Sequence, residues 1–473
     1  MAAVTKLRHL VQQLEKDPGL PVKKPTQSYW QQPPTRPLAD LQSSKLPDNV
    51  DVVIIGSGIT GCSVARQLLS QDGGLRIAML DARQICSGAT GRNGGHVKAV
   101  PEVSYADLVP RIGRQKAREV VDFTLANVEE LFTLAATLST ELQHYSEIRR
   151  VESVNLFTDD SGFSRMQAIL EDFRANNQDL AGRMRVLSKG ELRERYGVDN
   201  ASGGVTSQAG AAWPYRLITG ILSGLLELHG ERFSIDANTP VQGVDFDGKH
   251  YSIKTPRGEI KARRLVHATN GHAGHLLPGI RGLIWPMRGQ MTAQAPHTSF
   301  GIQGSRSYSI HYSNGFDYIT QSGEGGEIFV GGGLVSSEPH HELGNPADDS
   351  NATLPVAHLG GIMDATFGRP IRSEIKAAWT GVMGFTVDGL PLVGKLPKSM
   401  TTRDGDGEYG AAGYNGYGMP NAWLCGKHIA NLILSKANDQ PIPTAYELSD
   451  ERLQKMDVEA SARQWLAVFG QHT

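Results

Sequence analysis

"DVVIIGSGITGCSVARQLL", residues Asp51–Leu69, is an apolar run of strand type, then three glycines, then an amphipathic stretch. Gly56, Gly58 and Gly61 stand at G-x-G-x-x-G spacing. In that pattern the first glycine allows a tight turn, the second lets a pyrophosphate reach the backbone, and the third lets helix pack closely on strand. The amides of Ser57, Ile59 and Thr60 complete the turn, where a helix N-terminus offers free N–H groups and a positive dipole end. Alone the motif is weak, because glycine-rich turns are common. Its context strengthens it: a second strand, "RIAMLD", ends in Asp81, 20 residues after Gly61. An acid there accepts hydrogen bonds from a ribose diol. The spacing predicts a βαβ unit over 51–83 that binds a dinucleotide, and leaves NAD and FAD both open.

The whole chain suits such a protein. Its 473 residues suffice for more than one domain, and 54 of them are glycine, well above the usual ~7%. A formal net charge of -2 and no basic stripe argue against a nucleic-acid partner. The three cysteines, Cys62, Cys86 and Cys425, lack metal-ligand spacing and are too few for a disulfide framework. No secretory pattern opens the sequence and no apolar run reaches the ~18 residues of a membrane span. A cytoplasmic protein without membrane or metal is the expectation.

Along the chain, 1–19 reads as a short amphipathic helix. The Pro- and Ser-rich stretch after it reads as an extended arm that docks through Tyr29 and Trp30. Helices are predicted over 119–142, 165–177, 212–230 and 421–438, with a meander of strands after Gly230 and a buried strand in "GGEIFVGGGL". A polar tail follows, and the acidic run "NPADDS" around Asp348 reads as a solvated loop.

"LDARQICSGATGRNGGHV", Leu80–Val97, decides between the dinucleotides. It resembles the segment after the second strand in FAD-dependent oxidoreductases of the D-amino-acid oxidase, glycine oxidase and sarcosine oxidase superfamily. It is most similar to the γ-glutamylputrescine oxidoreductase-like branch. "NTPVQGV", "LVHATNGHAGHLLP", and "AAWTGVMGFTVDGLPLVGKLP" with "GAAGYNGYGMPNAWLCG" match the same superfamily in its usual order.

The resemblance implies an α/β fold, α+β overall: a Rossmann-type FAD-binding domain of the glutathione-reductase kind, interleaved with a mixed-sheet substrate domain. The expected division is an arm over 1–48, FAD-binding parts over 49–101, 198–278 and 371–445, substrate-domain parts over 102–197 and 279–370, and a tail over 446–473. The resemblance places FAD against Gly56–Gly61, Asp81, Ala82 and Arg83. It adds Ser87, Gly88, Ala89, Thr90, Arg92, Asn93, Gly94, Gly95 and His96 from the glycine-rich passage. Val241, Ala268, Thr269, Asn270 and Gly384 follow, and then Gly416, Tyr417, Gly418, Met419 and Pro420, where a helix start is expected to aim N–H dipoles at the ring. No Cys stands in 377–397 and no Trp-His attachment motif is present, so FAD is expected to be held non-covalently.

The chemistry implied is hydride transfer from the carbon beside an amine to FAD, with O2 as the usual oxidant and hydrogen peroxide as product. The partners are then a small amine or amino-acid substrate and O2, for a monomer or homodimer. No acid–base residue is obligatory, since a neutral amine needs only alignment and a dry pocket. His96, Arg288 and Tyr318 are the substrate-side candidates. Lys98 and Lys395 are candidate cations for O2 reduction, and Trp379 and Met383 are packing residues near the ring. The alternatives are a dehydrogenase with another electron acceptor and a catalytically silent FAD-binding protein.

Overall fold

The computed structural model describes residues 2–297, 302–313, 315–368 and 374–470. Among these, seventeen strands form two sheets. In chain order they are β1 (Asn49–Ile55), β2 (Ile77–Leu80), β3 (His96–Val97), β4 (Arg149–Phe157), β5 (Met184–Ser188), β6 (Gly203–Ala211), β7 (Phe233–Asp236), β8 (Gly243–Phe246), β9 (Tyr251–Thr255), β10 (Gly258–His267), β11 (Ile284–Gln294), β12 (Arg306–Tyr312), β13 (Gly315–Gln321), β14 (Ile328–Gly332), β15 (Ile375–Thr386), β16 (Leu392–Lys395) and β17 (Glu408–Ala412).

The first sheet has the order β16-β17-β10-β1-β2-β7, with the β8–β9 hairpin added to β10. β17, β10, β1, β2 and β7 run parallel, so their carboxyl ends share one edge. β1 carries a near-continuous apolar run and is buried on both faces, as a strand in the middle of a parallel sheet must be. From β1 the chain moves one way to β2 and later returns on the other side as β10. That makes the end of β1 a topological switch point, where open α/β sheets leave a crevice.

The second sheet has the order β15-β11-β14-β13-β12-β4-β6-β3, with β5 on β6; only β12 and β4 pair in parallel. Side chains alternate across it. Tyr308, Ile310, Ile319 and Val330 face a cluster with Leu359, Met363 and Phe367 of the Thr353–Phe367 helix. Ser307, Ser309, Tyr318 and Gly331 face the other way, toward the first sheet.

Within the stretches expected to bind FAD, β6, β15 and β3 lie in the second sheet rather than the first. The 370/371 boundary lies outside the described residues. One expectation is corrected here. The tail is not merely polar: a Val458–Val468 helix buries Ala462 and Leu466 against Leu7, Leu10 and Leu14 of the Ala2–Leu14 helix, with Trp285 beneath. Its apolar residues are too few and too spaced to stand out beside its charges. No described helix is long and apolar enough to cross a membrane.

Candidate active site

The crevice is built from the ends of β1, β10, β17 and β2. Gly56 turns with φ 109°, and a Cβ there would lie 2.5 Å from the Ala268 carbonyl oxygen that follows β10. A Cβ on Gly61 would come within 2.0 Å of the Gly56 carbonyl oxygen, so the Ile59–Gln71 helix can start this close only on glycine. That helix meets the Ala422–Leu434 helix at Gly426, and Ser63 Oγ donates to the Trp423 carbonyl (2.5 Å).

Asp81 follows β2 and faces the turn. Its Oδ2 accepts from the Ser57 amide (3.0 Å) and Ser57 Oγ (2.5 Å), and its Oδ1 from the Arg83 amide (3.1 Å). Burial pushes its carboxyl up, against those hydrogen bonds, which pull it down. Asn238 and Thr239 donate their amides to Arg83 and Asp81 carbonyls, which brings the buried Val241 segment to the same edge. Asn270 Oδ1 accepts from the Gly413 amide (3.0 Å) and lies where a Gly384 Cβ would be, tying β10, β15 and β17 together.

The glycine-rich passage closes one wall. Cys86 sits in the left-handed region (φ 58°) and donates its amide to Ser57 Oγ, and Thr90 Oγ1 accepts the Ile59 amide (3.0 Å) at the helix start. Gly88 is exposed and Ala89 half-buried. Opposite, the Gly416–Met419 turn stays open, with Gly416 and Tyr417 exposed. At the start of the helix after it, Leu424 N donates to Asn127 Oδ1 (2.8 Å) and Ala422 N to the Gly418 carbonyl.

The guanidinium groups of Arg83 and Arg92 are committed within the protein. Arg83 Nη1 donates to Asp348 Oδ1 (2.8 Å), and Arg92 Nε lies 3.5 Å from Asp348 Oδ2 while Arg92 holds the Ser87, Thr26 and Thr380 carbonyls. Asp348, expected in a solvated loop, is thus a buried counter-ion. A lone acidic run carries no signal of a distant arginine pair.

The second sheet supplies the roof. His96 Nδ1 pairs with Ser307 Oγ (2.8 Å), and its ring meets Tyr318 edge-on at 5.3 Å. Burial, with Lys98 nearby, pushes the His96 pKa down to about 3, so the ring is neutral at physiological pH. Lys98 Nζ donates to Asn155 Oδ1 (2.7 Å) and Ser309 Oγ (3.0 Å); burial pulls its pKa down to about 8, against the pull of Glu102. Contrary to the usual exposed lysine, Lys98 is buried, whereas Lys395 is exposed and paired with Asp406 away from the site. Arg288 also stands apart. It is buried on the opposite face of β11 from Met291, which meets Tyr318, and donates to the Ser350 carbonyl beside Glu342. Trp379 is fully buried and donates to the Arg92 carbonyl (2.8 Å); Met383 lies beside Gly416.

Sequence reading missed Ser307, Ser309, Asn155 and Glu102. The alternation of "SRSYSIHY" is the one signal that serines share a face. It also missed how the arm takes part: Ser28 Oγ and Gln31 Nε2 donate to the Gly91 carbonyl, and Trp30 Nε1 to the Asn93 carbonyl.

Buried polar atoms without a partner among the described residues include Ser87 Oγ, Thr269 Oγ1 and His96 Nε2, all along this crevice. A polar ligand spanning from the β1 turn to the roof would satisfy them. FAD fits: the turn offers amides to a diphosphate, Asp81 a carboxylate to a ribose, and the glycine-rich wall a close backbone to a flat ring.

A parallel sheet with a crevice at its switch point, under a mixed, mostly antiparallel sheet, is the frame of a dinucleotide-binding protein. Residues 51–432 match the model of the family described as DAO, FAD dependent oxidoreductase, and the chain belongs to that family. It is an FAD-dependent oxidoreductase. Sarcosine oxidase subunit beta of Rhizobium meliloti is 24% identical over 432 residues, 89% of this chain and 90% of that one. Gamma-glutamylputrescine oxidoreductase of Escherichia coli is 22% identical over 394 residues, 82% of this chain and 84% of that one. Among solved structures, glycine oxidase from Geobacillus kaustophilus shares the fold with a TM-score of 0.69 at 19% identity, covering 85% of this chain and 99% of that one.

Proposed function

We propose that the protein oxidises the C–H bond beside an amine nitrogen, in an amino acid, an N-alkyl amino acid or another primary or secondary amine, and passes the electrons to O2. FAD, when bound, would supply the hydride acceptor, with O2 reduced to hydrogen peroxide and the imine product hydrolysed by water. Gly58, Thr60, Gly61 and Asp81 would hold the dinucleotide end, and Gly94, Gly95 and Gly416–Met419 the ring end, with His96 left to face the substrate.

The observation that carries the reading is the roof: a neutral His96 with a free Nε2, beside Tyr318, over the flavin-binding wall. With its proton on Nδ1 toward Ser307, His96 accepts a hydrogen bond from a substrate N–H without taking the proton. That orients the nitrogen lone pair behind the departing hydride, the geometry the reaction needs. Burial raises the Tyr318 phenol, so it stays protonated and can only donate or pack. Lys98, the cation buried on this face, attracts a substrate carboxylate or reduced oxygen. The amine-acting relatives support this choice of bond.

The test is anaerobic mixing of the FAD-loaded protein with a panel of amines and amino acids. Bleaching of flavin absorbance by at least one member, with peroxide on admitting air, is expected. No bleaching across the panel refutes the amine reading. Bleaching without peroxide refutes O2 as acceptor.

A further inference from the structure

The family match begins at residue 51, yet part of the chain before it is knitted into the cofactor wall. We propose that Thr26–Gln31 is a positioning element for FAD: it holds the Ser87–Gly95 passage in its binding shape, so that cofactor affinity depends on the arm.

The passage has little to hold itself. Four of its nine residues are glycine, the residue with most freedom to lose. Its own hydrogen bonds are short-range, such as Gly91 N to the Gly88 carbonyl and Gly95 N to Asn93 Oδ1. The body of the protein holds it in part, with Ala212 N, Thr320 Oγ1 and Trp379 Nε1 donating to the Gly95, Gly94 and Arg92 carbonyls, and the arm adds a further set. Ser28 Oγ (2.8 Å) and Gln31 Nε2 (3.1 Å) both donate to the Gly91 carbonyl, and Trp30 Nε1 donates to the Asn93 carbonyl (2.5 Å). Arg92 reaches out of the passage to the Thr26 carbonyl (2.5 Å), and Thr26 Oγ1 accepts the Thr380 amide (2.9 Å) from β15.

The arm is itself anchored. The Trp30 ring stacks on Phe329 at 3.7 Å and meets Trp213 edge-on at 5.0 Å, and Trp213 Nε1 donates to the Trp30 carbonyl. The Trp30 ring would lie 3.1 Å from a Cβ on Gly95, directly behind the wall. A wall pre-shaped this way spares FAD the cost of ordering it. Loosened, the same residues would have to be ordered by the cofactor.

Apoprotein of Ser28→Ala/Gln31→Ala, Trp30→Phe, Trp30→Ala and the exposed-arm control Lys45→Ala is titrated with FAD, following flavin fluorescence. Apoprotein Tm is measured alongside. The double variant is expected to raise the FAD Kd about tenfold or more, the scale of lost hydrogen bonds, with apoprotein Tm within about 2 °C of wild type. Trp30→Phe keeps an aromatic ring for the stack while losing the Asn93 bond and part of the packing behind Gly95, so it should fall between wild type and Trp30→Ala; Lys45→Ala should match wild type. An unchanged Kd in the double variant overturns the proposal. So does a loss of affinity that merely tracks loss of apoprotein Tm and is no smaller in Trp30→Phe than in Trp30→Ala.

Discussion

Lys98→Met isolates the cost of the buried ammonium in the roof. Burial pulls the Lys98 pKa from 10.5 down to about 8. The proton therefore leaves the folded protein near pH 8 and the unfolded chain near 10.5. Between those values the unfolded state binds more protons, so stability rises with pH. At about 1.4 kcal/mol per pKa step the full penalty is about 3 kcal/mol, present below pH 8 and mostly relieved by pH 10.5. Moving from pH 7 to 9.5 should recover about 2 kcal/mol of it. For 473 residues at roughly 2.1 cal/mol/K each, 1 kcal/mol shifts Tm by about 1 °C.

The substitution alone mixes two effects, because Asn155 Oδ1 and Ser309 Oγ lose their donor when Lys98 goes. That loss does not titrate, so the pH dependence of the difference cancels it. Tm of wild-type and Lys98→Met apoprotein at pH 7 and 9.5 is the assay. Relative to the variant, wild type should gain about 2 °C between the two pH values. A difference that stays constant with pH, or moves the other way, would show that Lys98 is not a desolvated cation.

Gly61→Ala puts a Cβ 2.0 Å from the Gly56 carbonyl oxygen, so it should cost about 3 kcal/mol or more and abolish FAD retention, read by Tm and the flavin content of purified protein. Asp348→Ala strands the guanidinium groups of Arg83 and Arg92 in the interior and should cost about 3–5 kcal/mol; thermal denaturation showing a loss under about 1 kcal/mol contradicts the buried-counter-ion role. His96→Ala should keep FAD and lower kcat/KM for an amine substrate about 10- to 100-fold. Because His96 stays neutral above about pH 3, the wild-type pH–rate profile should show no histidine limb between about pH 5 and 8.

How much of this was legible depended on range along the chain. The Gly56–Asp81 unit reads from sequence because every feature lies within one βαβ stretch, whose strand, turn and helix leave separate local marks. The wall at Ser87–Gly95 reads through its resemblance to the corresponding superfamily segment, with dense glycine and small residues as its local mark. The roof does not: His96, Ser307, Lys98 and Ser309 come together only when β3 and β12 fold over β4, and single serines carry no signal of their neighbours. Arg288 misled because its type suits a carboxylate, while the face of β11 it occupies depends on register. Asp348 misled for the complementary reason, since exposure is the usual fate of an aspartate and its two partners lie more than 250 positions away. Tyr29 and Trp30 announced that the arm docks, but not that it docks behind the flavin-binding passage.

The most direct test of the central claim is an FAD titration of wild-type and Asp81→Ala apoprotein at one ionic strength. Saturation at one FAD per chain, with affinity about 10- to 100-fold weaker in the variant, is the predicted result, since a charged acceptor to the ribose is lost. Equal affinity in the two proteins would place the dinucleotide somewhere other than the carboxyl ends of β1 and β2, and would contradict the account.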